Sequence, residues 1–61
     1  MSLYNIEFEY QVDGEDLEGF LPNVEIDDEL SSEDQYGSAI FEVKAVYPDA
    51  TNVIIATMEP V

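Results

Sequence analysis

The chain has no cysteine, no histidine, no arginine and no tryptophan, and Lys44 is its only basic side chain. Without thiols there are no disulfides and no thiolate metal sites. Without imidazole, thiolate or guanidinium, most acyl-transfer and phosphoryl-transfer machinery is excluded, and Ser31, Ser32 and Ser38 have no base to activate them. Paired carboxylates can hydrolyse glycosides, but only around a cleft that holds a sugar ring, and 61 residues leave little room for one. The expectation is a non-enzyme with no catalytic residue and no cofactor. Long apolar runs are also missing: none approaches the roughly 20 residues of a membrane helix. No basic stretch precedes an apolar block at the N-terminus. A soluble, cytoplasmic protein without membrane contact is expected.

What the chain has in excess is negative charge, with fifteen Asp and Glu and a formal charge of -14. Such a chain repels nucleic acid and anionic membranes and is drawn to basic protein surfaces. High net charge also accompanies disorder, but Leu, Ile, Val and Phe make up 18 of the 61 residues and are patterned, so a fold is expected. One small domain over 1-61 accommodates the length, below the size at which a single core is comfortably stable.

The pattern is clearest in Tyr4 to Asp13, where Tyr4, Ile6, Phe8, Tyr10 and Val12 alternate with Asn5, Glu7, Glu9, Gln11 and Asp13. This is a strand with one apolar and one acidic face. Asp13-Gly14 signals a turn. From Leu17 to Ile26 the parity changes: Leu17, Gly19 and Leu21 share one face, Val24 and Ile26 the other, and Pro22 suits a bulge on an edge strand. After the polar stretch from Asp27, Ser32 with Gln35 fits a capping box. Tyr36, Ala39, Ile40, Val43, Val46 and Tyr47 then recur at helical spacing until Pro48. Gly37 is read as letting the first helical turn approach the sheet. Thr51 to Met58 is a strand apolar on both faces, with Val53 and Ile55 on one and Ile54, Ala56 and Met58 on the other. The result is a β-β-α-β, α+β domain with one helix on a mainly antiparallel sheet of order 2-1-3.

Two acidic stretches, Asp13-Gly14-Glu15-Asp16 and Asp27-Asp28-Glu29, invite comparison with cation sites. Counted from Asp27, however, the glycine and bidentate positions of an EF-hand hold Ser32 and Ser38, so no metal site is expected. The acids point instead to a partner surface comprising Glu7, Glu9, Asp13, Glu15, Asp16, Glu18, Glu25, Asp27, Asp28, Glu29, Glu33 and Asp34, with Phe20 as an apolar anchor. Alternate strand residues lie about 6.6 Å apart, close to the roughly 6.8 Å of axis between alternate phosphates of one DNA strand. The expected function is binding to a basic site, such as that of a nucleic-acid-binding protein, by mimicry of nucleic acid. Small phage-encoded inhibitors of host enzymes share this size and acidity. The alternative is an assembly module that forms a homodimer through Ile54, Ala56 and Met58, with the acidity serving solubility or salt adaptation.

Overall fold

The computed structural model describes residues 1–61 and contains the four elements in the expected order: β1 (Ser2–Val12), β2 (Glu15–Ile26), α1 (Ser32–Val46) and β3 (Thr51–Pro60). The strands form one antiparallel sheet of order β2-β1-β3, with the alternating strand in the centre. The Asp13-Gly14 turn closes the β1–β2 hairpin with positive φ at both residues (52° and 82°). Glycine and aspartate adopt this region more readily than most residues.

Three β-bulges set which side chains face α1. On β2, Tyr4 pairs with Val24 and Ile6 with Leu21, so Pro22 and Asn23 together oppose Asn5. Asn23 has φ of 55°, and its N–H donates to Asn5 Oδ1 at 3.2 Å. This bulge restores Leu17, Gly19, Leu21, Val24 and Ile26 to one face, as the parity change and Pro22 implied. On β3, Glu7 pairs with Thr57 but Phe8 with Ile55, leaving Ala56 as an extra residue. A second bulge lies at Asn52, with φ of 50°. The Ala56 bulge corrects the expected faces of this strand. Met58 opposes Ile6 and packs with Val53 and Ile55 against the core, while Ile54 opposes Glu9 on the other face.

The helix cap lies one residue before the expected Ser32. Ser31 is the N-cap, and its hydroxyl accepts from the Asp34 N–H at 3.2 Å. Gln35 does not return to the cap. Its side-chain amide donates to the carbonyls of Asp28 (3.3 Å) and Leu30 (3.1 Å), tying the connector to the helix. At the other end the Tyr47 N–H reaches Val43 O at 2.8 Å, and Pro48 stops the helix.

Ile6, Phe8, Ile26, Ala39 and Val43 form the buried centre, ringed by partly buried Tyr4, Tyr10, Leu21, Val24, Tyr47, Val53, Ile55 and Met58. Phe8, Tyr10 and Tyr47 stack as a tilted trio with ring centroids 5.2 to 5.8 Å apart. Only Ala39 and Val43 of the expected helical face are fully buried, whereas Tyr36 and Val46 remain about half exposed. A three-stranded sheet, with strands about 4.8 Å apart, is too narrow to cover the full apolar stripe of one helix.

Candidate functional site

α1 covers one face of the sheet and leaves the other open. Cross-strand partners share a face, so the open face can be read row by row from the register. Glu25 neighbours Leu3; Asn5 neighbours Glu59; Phe20 and Thr57 flank Glu7; Glu18 and Ile54 flank Glu9; Asp16 and Thr51 flank Gln11. Glu7, Glu9, Glu18, Phe20 and Ala56, with the backbone of Phe8 and Gly19 as floor, line a shallow depression at the middle of this face. Phe20 is 51% exposed.

Two features give the face its electrostatic character. Glu9 and Glu18 sit directly opposite one another, an arrangement that costs stability. No cation lies among them, because Lys44 is on the helix. Nearer the hairpin, polar side chains cross all three strands. Asn52 Nδ2 donates to Gln11 Oε1 at 2.6 Å, and Gln11 Nε2 donates to Asp16 Oδ1 at 2.6 Å. This bridge fixes the Asp16 carboxylate at one border of the acidic face.

The remaining acids named from sequence lie apart from this centre. Asp13 and Glu15 are at the hairpin tip, and Glu15 pairs with Val12 on the helix-facing parity. Asp27, Asp28, Glu29, Glu33 and Asp34 lie at the opposite end, in the connector and first helical turn. β1 separates the two ends by roughly 33 Å at about 3.3 Å per residue, and the molecule measures 35 × 18 × 17 Å. Several connector acids are engaged within the chain. Asp27 Oδ1 accepts the Glu29 N–H at 3.0 Å, and Asp28 Oδ2 accepts from the Ser2 hydroxyl at 2.5 Å. The Ser2 hydrogen bond, followed by the nearby N-terminal ammonium, holds the Asp28 carboxyl below the usual aspartate range.

Glu59 joins the open face opposite Asn5 although its position in the tail of the sequence gave no sign of it. Ala56 belongs to the central depression, and only Ile54 of the expected association residues remains a prominent exposed apolar side chain. No cluster of three or more His, Cys, Asp and Glu side chains has an arrangement able to hold a metal ion. No helix is long and apolar enough to cross a membrane. No family model, curated protein or solved structure matches the chain.

Proposed function

We propose that the protein is a non-enzymatic binding module whose open acidic sheet face occupies a basic site on a nucleic-acid-binding protein. The observation that carries this reading is the placement of Glu7, Glu9 and Glu18 around the half-exposed Phe20 on the face that α1 leaves uncovered. Asp16, Glu25 and Glu59 extend the same sign of charge along the three strands. Carboxylates two residues apart on β1 repeat at about 6.6 Å, so Lys and Arg side chains arranged for a phosphate backbone find acceptors at similar intervals. Net charge speeds encounter, and burial of Phe20 against the partner contributes the short-range part of the affinity. The protein would then act as a stoichiometric inhibitor of a cytoplasmic target, as small phage-encoded inhibitors do, without itself touching nucleic acid.

Capture of partners from a cell lysate at low salt, followed by elution with duplex DNA, tests this reading. The expected result is release of a nucleic-acid-binding protein by DNA, with capture abolished in the triple variant Glu7→Lys, Glu9→Lys, Glu18→Lys. Retention of that protein by the triple variant would remove the open face from the mechanism.

A further inference from the structure

The two edges of the sheet are protected unequally. β2 carries Glu15, Asp16, Glu18 and Glu25, and the Pro22-Asn23 bulge interrupts it. Charge, proline and bulges are the means by which an edge refuses another strand; β3 has two bulges of its own and ends at Pro60, so charge is what separates the two edges. β3 forms the other edge, and from Ala50 to Met58 it has no charged residue, although the chain holds fifteen acids. Between its two bulges run three β-branched residues, Val53, Ile54 and Ile55, and Ile54 is 60% exposed. A groove lined by Tyr36, Ile40, Val53, Ile54 and Ile55 follows this edge up to the helix, with no ionisable acid or base other than the Tyr36 phenol.

We propose that this edge docks a second copy of the chain, β3 against β3 in antiparallel register, forming a six-stranded sheet with both helices on one face. Two chains of -14 repel each other, and the run from Ala50 to Met58, bounded by Asp49 and Glu59, is the uncharged stretch along which they can meet. A two-fold axis places the same surface on both sides, so the same uncharged run supplies the strand contact of both copies. α1 meets both β2 and β3 and therefore lies over the middle of the sheet. At about 4.8 Å per strand, the two helix axes would stand roughly 14 Å apart, a gap for Tyr36 and Ile40 of each copy to fill. Residues 36, 40 and 44 repeat at one-turn spacing, which puts Lys44 on this same flank. The two-fold axis runs the helices antiparallel and carries Lys44 toward Glu33, on the same flank of the first helical turn, of the other copy. Only six of the 61 residues are buried in the single chain, so further apolar burial has much to add.

Sedimentation equilibrium at about 0.05 M and about 0.5 M NaCl tests the dimer, because screening weakens the repulsion between copies. The expected result is a monomer–dimer equilibrium that shifts toward dimer with salt. Ile54→Lys should weaken association at least tenfold although it lowers the repulsive charge, which separates apolar contact from electrostatics. Phe41→Lys, an exposed change on the β2 side of the helix, should not weaken it. Lys44→Glu should weaken association roughly two- to tenfold, the range for exposed ion pairs, and adding Glu33→Lys should restore it. Circular dichroism verifies that each variant is folded. A monomer at both salt concentrations, or a dimer indifferent to Ile54→Lys, overturns the proposal. Sedimentation reads the chain alone, with no basic partner present, so failure here is distinguishable from failure of the acidic-face reading.

Discussion

Gly19 faces Phe8 across the β1–β2 ladder, and a Cβ added there would run into the Phe8 ring. That ring is 1% exposed and is held by Tyr10 and Tyr47 at centroid distances of 5.5 and 5.8 Å, so it has little freedom to yield. Gly19→Ala should therefore destabilise the fold by about 1–3 kcal/mol, the range for overpacking a filled core. A lower urea midpoint at unchanged slope would verify it. Gly37 behaves in the opposite way: nothing lies within 4 Å of an added Cβ, so the expected close approach of the first helical turn to the sheet is not what this glycine provides. Gly37→Ala should stabilise the protein by about 0.5–1 kcal/mol through helix propensity and a less flexible unfolded chain, raising the same midpoint. Both glycines lie inside a regular element, and sequence alone does not distinguish them. The neighbour that makes one indispensable is eleven residues away in the chain and is reached only through the hairpin register.

The central strand was legible because its alternation is uninterrupted and both its neighbours read from it. The change of parity around Pro22 was legible too, since proline gave a local reason for a bulge. β3 offered no such marker: Ala56 has no special backbone preference, and an apolar strand reads the same with or without an extra residue. Met58 was therefore assigned to the wrong face, and Glu59 was left outside the acidic surface. At this scale the most exposed weakness is the Glu9–Glu18 pair, since like charges directly opposite on neighbouring strands work against the ladder. Glu18→Lys converts it into an attractive pair beside Glu9 and should stabilise the sheet by about 0.2–1 kcal/mol. Thermal unfolding measures that gain, and the same variant should bind the proposed basic partner more weakly. Unchanged stability would show that the two carboxylates do not feel one another, and unchanged affinity would remove Glu18 from the binding surface. Stability gained together with affinity lost is the signature of charge retained for binding at the expense of the fold.

Across the whole molecule the acids were legible in number but not in grouping. The sequence crowds ten of them between Asp13 and Asp34, yet the hairpin sends those at its tip and those after Ile26 to opposite ends. The residues gathered on the open face come from three strands, and their association depends on sheet order and bulges. This distribution sets how the charge acts on stability. The Debye length is about 30 Å at 0.01 M salt, nearly the full 35 Å length of the molecule. Each carboxylate then feels almost every other. At about 0.15 M it falls to about 8 Å, and only near neighbours such as Glu9 and Glu18 still interact appreciably. The melting temperature should therefore climb by several degrees, on the order of 5 °C, between about 0.01 M and about 0.2 M NaCl and then level off. Scans at two protein concentrations separate this from dimerisation, because intramolecular screening is independent of concentration whereas association is not. A rise that continues steeply into molar salt would instead mark the acidity as salt adaptation. It would also weaken the case that the open face is kept acidic for a basic partner. A plateau leaves the energetic cost of a net charge of -14 unexplained by stability, and binding is the role that would account for it.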